Sequence, residues 1–322
     1  MRAAALLLAL ALSAPAAAAD PAAEGSALDV AMAPAAVPPA AIAPGAEMSG
    51  AWVLTAGDPA FGGLSGIAIR EGRVVMVSDR GHWLTGAIDP GAAPPLTGLR
   101  IAPIRGADGR ALSGRAADAE SLAWDGQGLH VAFEHAHRIL TLDPEGRLGD
   151  PLLPGGVGRI GANAGMEALT TTPDGRLLAL SEDRVDGAFL LWHGPPEGPL
   201  ARDRLPVLSR HANTGAATGP DGTIYLLQRH FSPATGVSIR LLAYPPGPTG
   251  LPDPGGAGLV AAWETLSGID NMEGVAAVPA EDGRLDLWIV SDDNFNAVQR
   301  TLLLRLSLDP ARLQPLPPAS IE

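Results

Sequence analysis

The feature that most constrains the fold of this chain is a short unit that recurs five times. Three copies begin with glutamate, as in Glu120-Ser121-Leu122-Ala123, and two carry a hydroxyl residue in its place. The copies start at positions 65, 120, 167, 214 and 273, at intervals of 47 to 59 residues. After each copy come an acidic residue followed by glycine, an apolar run and a polar pair. Repeats of roughly 40–50 residues that alternate strands and turns are typical of a β-propeller.

The apolar runs support an all-β fold. A strand that is apolar on both faces is expected to lie between two neighbouring sheets, as the second strand of a propeller blade does. Amphipathic stretches that could form crossover helices are not evident, which disfavours an α/β fold. These apolar runs are Val74–Val77, Leu177–Leu180, Ile224–Leu227 and Leu287–Val290.

These patterns predict a β-propeller of five four-stranded blades, and a sixth blade with a degenerate sequence remains open. The fifth unit reaches the end of the folded segment before its fourth strand. Ala51–Leu54, ahead of the first unit, can supply that strand. The N- and C-terminal strands would then pair and close the ring, which removes exposed sheet edges.

The composition divides the chain into four segments. Residues 1–19 carry one arginine, a short apolar run and small residues, which is the pattern of a secretory signal peptide. The apolar run is too short to span a membrane, so we expect a periplasmic or secreted protein. Residues 20–46 are rich in alanine and proline and are predicted to be flexible. We assign 47–309 to the propeller and 310–322 to a proline-rich tail.

The net charge limits the possible partners. The formal charge is −13, and the chain contains neither lysine nor cysteine. A strongly acidic protein lacks the basic surface that binds phosphate backbones, so nucleic acid is not expected as a partner. An acidic protein of this kind is better suited to binding cations. The sequence does not indicate an oligomeric state.

Propeller geometry predicts where the polar residues meet. The first strand of each blade lines the central channel, and the second strand runs antiparallel to it. The residue that opens the first strand and the residue that closes the second therefore lie at the same mouth of the channel. The residues expected there are Glu120, Glu167, Glu273, Asp79, Glu134, Glu182, Asp292 and Asp293, with Arg80, Arg229, His82, His135, Asn271 and Asn294 among them.

Carboxylates gathered at one opening repel one another unless something compensates their charge. A hard cation such as Ca²⁺, local pairing with arginine, or protonation of some carboxyls would each do so. We expect Asp79, Glu134, Glu182, Asp292 and Asp293 to bind metal. In a repeat fold, the recurring glutamate could instead have a structural role in every blade. The residues assigned to catalysis are Glu120, Glu167, Glu273, Arg80 and Arg229.

Seven motifs in order resemble the phytase-like family known for the "esterase-like activity of phytase". The resemblance spans about 62–308 and implies a bacterial exported propeller that hydrolyses phosphoesters or other esters. Similar calcium-dependent propeller phytases hold Ca²⁺ and phosphate with acids at one channel mouth, and they also use lysines, which this chain lacks. The motifs include Gly62-Gly63-Leu64-Ser65-Gly66-Ile67, Asp118-Ala119-Glu120-Ser121-Leu122, Met166-Glu167-Ala168-Leu169, Asn271-Met272-Glu273-Gly274-Val275 and Val290-Ser291-Asp292-Asp293-Asn294-Phe295.

The sequence therefore predicts an exported, calcium-assisted phosphoesterase or esterase that acts on a small anionic ester at the acidic mouth. The alternative is a non-catalytic periplasmic propeller that binds a ligand or protein partner, with acids that are structural or bind Ca²⁺. A lactonase-like or dehydrogenase-like propeller would need a metal or a quinone at the same place. Nothing in the sequence singles out that third possibility.

Overall fold

Five antiparallel sheets arranged in a ring form the protein in the computed structural model, which describes residues 20–125, 128–142, 148–161 and 165–317. The predicted signal peptide at 1–19 lies outside the described residues.

The strands are numbered in chain order. The first eight are β1 (Ser26–Ala27), β2 (Val30–Pro34), β3 (Ala41–Ile42), β4 (Ala46–Ala56), β5 (Leu64–Arg70), β6 (Arg73–Ser78), β7 (His82–Ile88) and β8 (Leu96–Pro103). The next seven are β9 (Ala119–Trp124), β10 (Leu129–Phe133), β11 (Arg138–Leu142), β12 (Ala168–Thr171), β13 (Leu177–Val185), β14 (Ala188–Gly194) and β15 (Ala201–Pro206). The last seven are β16 (Ala212–Thr218), β17 (Ile224–Ser232), β18 (Gly236–Tyr244), β19 (Gly258–Glu264), β20 (Asn271–Pro279), β21 (Leu285–Asp292) and β22 (Thr301–Leu308). Short 3₁₀ helices cover Gly114–Ala116, Val157–Arg159, Pro254–Gly256, Thr265–Ser267 and Pro310–Arg312.

The sheets confirm the predicted five-bladed propeller. Blade one contains β5 to β8, blade two β9 to β11, blade three β12 to β15, and blade four β16 to β19. Blade five contains β20, β21, β22 and β4. In blade two, isolated bridges at Leu148 and Leu152 take the place of a full fourth strand. The innermost strands β5, β9, β12, β16 and β20 contact one another in turn, and β20 contacts β5, so the ring is closed.

The closure pairs a strand near the N-terminus with the last strand of the propeller in one blade, as the sequence predicted. Strand β4 pairs antiparallel with β22, placing Ala51 opposite Leu304 and Ala46 opposite Leu308. Strand β4 thereby completes the backbone hydrogen bonds along the outer edge of β22, so β22 has no unpaired edge.

The second strands are buried on both faces, which explains their continuous apolar sequences. In β21, Leu287 and Ile289 pack into the core cluster shared with blade four. Their neighbours Trp288 and Val290 pack into the cluster shared with blade one. Because successive side chains point to opposite faces of a strand, one apolar run stabilises two interfaces between blades at once.

The prediction that 20–46 is a flexible segment is wrong. Strands β1, β2 and β3 lie in this segment and extend the outer edges of blades one, five and four. Leu28 and Val37 are buried in core clusters between blades. The segment is ordered because strand edges satisfy its backbone groups, although its side chains bury little apolar surface.

The described part of the tail also follows the surface of the propeller. The Leu316 backbone N–H donates to the Ala257 carbonyl at 2.7 Å, and Leu313 packs against the core of blades four and five. Within 20–125, 128–142, 148–161 and 165–317, no helix is long and apolar enough to cross a membrane.

The buried N-terminal segment gives a first prediction. Val37 is 3% exposed, so we expect Val37→Ala to lower the free energy of unfolding by about 2 kcal/mol through lost burial and a residual cavity. Val298 is 85% exposed, and we expect Val298→Ala to change stability by less than about 0.5 kcal/mol. Chemical denaturation of both variants is the measurement. Equal stability of the two variants would contradict the docked position of this segment.

Candidate functional site

A β-bulge occurs where the recurring unit opens the innermost strands. In blade two the pairing register skips Glu120, and in blade five it skips Glu273. Blades one and four skip Ser65 and Thr214 at the equivalent place. A bulge bends the strand and redirects the side chain of its extra residue. The side chains of the recurring glutamates of blades two and five therefore do not follow the regular alternation between the two faces of their strands.

The polar residue that follows the apolar run of each second strand lies beside the start of the innermost strand. Asp292 pairs with Asn271, which is two residues before Glu273. The Glu134 backbone N–H donates to the Asp118 carbonyl at 3.0 Å, and Asp118 is two residues before Glu120. The same arrangement in successive blades gathers both sets of polar residues at one mouth of the channel.

The resulting carboxylates are close enough to influence one another electrostatically. Glu120 interacts with Glu167 and Glu273, and Glu273 interacts with Asp292 and Asp79. These contacts join four blades into one network, which we call the acidic mouth. Its members are Asp79, Asp118, Glu120, Glu134, Glu167, Glu182, Glu273 and Asp292.

The three recurring glutamates resist ionisation. Burial raises the pKa of Glu120 and of Glu167 well above its usual range, and neighbouring carboxylates raise it further. Burial together with the charges of Asp292 and Asp79 raises the pKa of Glu273 to about 8, although Arg229 and a hydrogen bond from Asn271 oppose the shift. At neutral pH the acidic mouth therefore retains protons on some of its carboxyl groups.

The carboxyls around these glutamates titrate closer to neutrality. Burial and the nearby charges of Asp292 and Asp118 raise the pKa of Asp79 to about 7. Burial and Asp118 raise the pKa of Glu134 to about 7. The pKa of Asp292 rises to about 6, mainly because of burial. Groups in this range can both donate and accept a proton at physiological pH.

Arg229 is the cation that acts most widely on the acidic mouth among the described residues. Its Nη2 lies 3.7 Å from a carboxylate oxygen of Glu182. Its charge also lowers the pKa values of Glu167, Glu273 and Asp292 against the effect of burial. The buried Nε of Arg229 has no hydrogen-bond partner among the described residues. The positive charge of one guanidinium cannot neutralise so many carboxylates. The Nε–H of Arg229 also remains available to donate to a ligand.

Asn271 connects two members of the acidic mouth. Its Nδ2 donates to Glu273 Oε1 at 2.6 Å and to Asp292 Oδ2 at 3.3 Å. The amide oxygen of Asn271 is buried and has no hydrogen-bond partner within the described part of the chain. A buried acceptor without a partner is costly, which favours a ligand that supplies a positive charge or a donor.

The residues that follow Asp292 form a tight loop over the rim. Asp293 accepts hydrogen bonds from the backbone N–H groups of Gly63 and Phe295 and from the Thr301 hydroxyl, at 2.9 to 3.1 Å. Its carboxylate is thus engaged by the protein itself, and its metal-binding role stays a prediction. The Arg80 guanidinium stacks over the Phe295 ring, 3.3 Å from its centroid.

Gly63 is required for this close approach. Its φ of 61° lies in the left-handed region, and a Cβ there would collide with the Asp79 carboxylate and the Phe295 ring. Arg80 is exposed beside Asp79 and lowers its pKa. Of the two arginines assigned to catalysis, Arg80 is therefore on the rim, whereas Arg229 reaches into the acidic mouth.

Sequence reasoning did not select Asp118 as a site residue. Its carboxylate lies 3.0 Å from His135 Nε2, which is also 3.2 Å from the Glu134 carboxylate. One ligand atom from each of Asp118, Glu134 and His135 falls within 4.8 Å of the others, so these residues could hold a metal ion. The available signal was the matching position of Asp118 and Asn271, each two residues before a recurring glutamate.

Blades one and four replace the glutamate by residues that bond to the backbone. Thr214 Oγ1 donates to the Met272 carbonyl at 2.9 Å, and Ser65 Oγ donates to the Gly63 carbonyl at 3.3 Å. Gln228, in the middle of the second strand of blade four, donates to Asn213 Oδ1 at 2.8 Å. The recurring acid is thus present only in blades two, three and five.

The arrangement can perform two kinds of chemistry. Its oxygen donors come from several blades and match the preference of Ca²⁺ for carboxylate and amide oxygens. Its carboxyls with pKa values near 7 are suited to general acid–base catalysis. Both follow from the same cause, which is the burial of many like charges around one opening.

The raised pKa values predict how stability depends on pH. The experiment is done in the presence of a chelator. The stability that comes from keeping Glu273 protonated is fully present below the pKa of this residue in the unfolded chain, about 4.5, and is lost as pH rises through its folded-state pKa of about 8. Melting temperature should therefore fall over this range. Glu273→Gln removes one buried charge and should gain on the order of 3 kcal/mol over the parent at pH 8. Thermal melts from pH 4.5 to 8.5 are the measurement.

The control for this pH experiment is Glu281→Gln, which changes an exposed carboxylate in a turn. It should follow the pH profile of the parent protein. If Glu273→Gln and Glu281→Gln had the same profile, burial of Glu273 would not be the source of the pH dependence.

Several solved propeller structures are similar to this chain. Glutaminyl cyclase of Myxococcus xanthus matches with 15% identity over 82% of this chain and 97% of that one, with a TM-score of 0.47. PQQ-bound aldose sugar dehydrogenase of Streptomyces coelicolor matches with 17% identity over 83% and 100%, with a TM-score of 0.44. XC5397 of Xanthomonas campestris, described as a gluconolactonase, matches with 15% identity over 86% and 97%, with a TM-score of 0.48. Likenesses this distant do not bear on function.

The comparison with families is more informative. No curated protein matches the chain. A family described as "Phytase-like: Esterase-like activity of phytase" matches residues 59–295. This match includes all five recurring units and every member of the acidic mouth. The chain therefore belongs to the phytase-like family with the "esterase-like activity of phytase".

Proposed function

We propose that the protein is an exported hydrolase of anionic esters, phosphoesters above all, that works at the acidic mouth with the help of Ca²⁺. The observation that carries this proposal is the convergence of buried carboxylates from four blades at one mouth of the channel, where the Arg229 guanidinium acts on those of blades three and five. The family description supplies the reaction class. The signal-peptide pattern at 1–19 supports export.

The residues of the acidic mouth fit a hard cation. Asp79, Glu273 and Asp292 contribute carboxylate oxygens, and Asn271 offers a buried amide oxygen that lacks a partner among the described residues. Ca²⁺ binds six to eight such oxygens in flexible geometry. When bound, it would offset the repulsion among these acids and neutralise charge on a phosphoryl or acyl oxygen.

The remaining groups have roles that follow from their charge and position. Arg229 would bind the anionic group of the ester, because its Nε has no partner within the described residues and a guanidinium binds such oxygens in a fixed geometry. Glu134 has a pKa of about 7, so it can hold a proton at its carboxyl oxygen and give it to a leaving alkoxide. Glu120 and Glu167 would remain partly protonated and limit the negative charge that the substrate meets.

A hydrolysis assay with matched variants tests the proposal. The mature protein is offered p-nitrophenyl phosphate, p-nitrophenyl butyrate and phytate, with Ca²⁺ and with chelator. We expect Ca²⁺-dependent turnover that falls at least about 100-fold in Glu273→Gln, since that substitution removes a ligand and a titrating group. Release of phosphate and of p-nitrophenol is the measurement.

The control for this assay is again Glu281→Gln, which should keep activity within twofold of the parent. Thermal melts show whether Glu273→Gln is folded. Absence of turnover on every ester, with and without Ca²⁺, would refute the hydrolase for these substrate classes. Calorimetric Ca²⁺ binding without turnover would support the non-catalytic binding propeller instead.

A further inference from the structure

The residue of blade four that replaces the recurring glutamate is fully buried and makes a hydrogen bond to blade five. Thr214 is 0% exposed, and its Oγ1 donates to the Met272 carbonyl at 2.9 Å. Met272 directly precedes Glu273, so this carbonyl and the backbone N–H of Glu273 belong to one planar peptide unit. The Thr214 hydroxyl therefore fixes the orientation of the peptide unit that leads into Glu273.

The next residue of blade four contacts the peptide unit on the other side of Glu273. A Cβ at Gly215 would lie 2.2 Å from the backbone carbonyl oxygen of Glu273, which is closer than a side chain can approach. Glycine is required for this contact between two innermost strands. The neighbouring residues Thr214 and Gly215 thus contact both peptide units that flank the Cα of Glu273.

Thr214 is itself held in place from blade three. Asn213 Nδ2 donates to the Ser181 carbonyl at 2.9 Å, and Gln228 Nε2 donates to Asn213 Oδ1 at 2.8 Å. Asn213 and Gln228 are at most 1% exposed. Both side chains are uncharged, so they are buried at a lower cost than a carboxylate would be. These bonds fix the bulge of β16 from which the Thr214 hydroxyl reaches blade five.

The two blades without a recurring glutamate use their hydroxyl groups differently. The Ser65 hydroxyl of blade one donates to the Gly63 carbonyl, two residues earlier in the same segment. The Thr214 hydroxyl of blade four instead donates to a different blade. Because both hydroxyls occupy the bulge position, the bulge alone does not account for the bond to blade five.

Glu273 is the member of the acidic mouth on which this bond acts. Glu273 is almost fully buried and feels the charges of Asp292 and Asp79. Its carboxylate would move away from those charges if the backbone of β20 could shift, and the contacts from blade four oppose that shift. Loss of a group that holds a metal ligand in place typically lowers metal affinity by about 10- to 100-fold.

We propose, on the basis of the Ca²⁺-assisted function proposed above, that Thr214 is a positioning residue for the acidic mouth. It contacts neither the metal nor the substrate. It acts through Glu273, whose carboxylate it keeps at the mouth against the repulsion of the neighbouring acids. Blade four thus contributes to Ca²⁺ binding without supplying a recurring acid of its own.

Calorimetric titration of Ca²⁺ into the full mature protein tests this role. Thr214→Val keeps the shape of the side chain and removes the donor to Met272, so we expect it to weaken Ca²⁺ binding about tenfold. Thr214→Ser keeps the donor and should bind Ca²⁺ within about threefold of the parent. Gly215→Ala is a second way to displace Glu273, because its Cβ would push on the Glu273 carbonyl, and it should weaken Ca²⁺ binding as well.

The matched control is Thr170→Val, which removes another hydroxyl contact between the innermost strands of neighbouring blades. Thr170 Oγ1 lies 2.8 Å from Thr218 Oγ1, and Thr218 is four residues beyond Thr214 in β16, about 13 Å away. Thr170→Val should lower the melting temperature about as much as Thr214→Val and leave Ca²⁺ affinity unchanged. A role of Thr214 in stability alone predicts the same Ca²⁺ affinity for both variants.

The double variant shows whether Thr214 acts through Glu273. When Glu273→Gln is already present, Thr214→Val should weaken Ca²⁺ binding by less than about twofold, because the carboxylate that Thr214 positions is gone. The proposal is overturned if the parent binds no Ca²⁺, if Thr214→Val binds it as tightly as Thr170→Val, or if the full loss persists with Glu273→Gln. Because binding is measured directly, an inactive protein whose Ca²⁺ affinity depends on Thr214 would refute the hydrolase and not the positioning role.

Discussion

Repulsion between buried carboxylates is the interaction around which the mouth of this propeller is organised. Glu167 and Glu273 are both almost fully buried, and each feels the charge of further acids from neighbouring blades. Such side chains would move apart if their strands were free to move. They stay together because each innermost strand is hydrogen-bonded into a sheet, and the pairing of β4 with β22 closes the ring. The apolar interfaces between blades therefore offset the loss of stability that the buried carboxylates of the acidic mouth cause.

Much of this fold could be predicted because it depends on patterns of apolar and polar side chains that are visible in the sequence. Most second strands contain an uninterrupted apolar run, and a strand covered on both faces is expected to have that composition. The N-terminal segment could not be predicted in the same way. Its strands β1, β2 and β3 are held mainly by backbone hydrogen bonds at sheet edges, which any residue but proline can donate. A few buried residues such as Val37 are too sparse to form a periodic signal.

The site was predictable where it repeats and unpredictable where it does not. The spacing of Glu120, Glu167 and Glu273 follows from the repeat, and so does their approach to Asp79 and Asp292. The bulges that redirect two of these glutamates have no marker in the sequence, because a bulge changes pairing rather than composition. Asp118 was missed because its role depends on a contact with His135. His135 lies in the turn between β10 and β11, and the sequence does not show that this turn approaches Asp118. The hydrogen bonds of Asp293 likewise depend on a loop conformation that the sequence does not specify.

Because blade four departs from the repeat, charge is distributed unevenly around the mouth. Where three blades carry a glutamate, blade four has Thr214, and the apolar run of its second strand is followed by Gln228 and Arg229. Thr214 and Gln228 are satisfied by the protein interior, so this blade adds no negative charge to the opening. Its Arg229 faces acids from blades three and five. A ring with five equivalent acids would repel any anionic ester, whereas a ring with one cationic side can hold a metal and an anion next to each other.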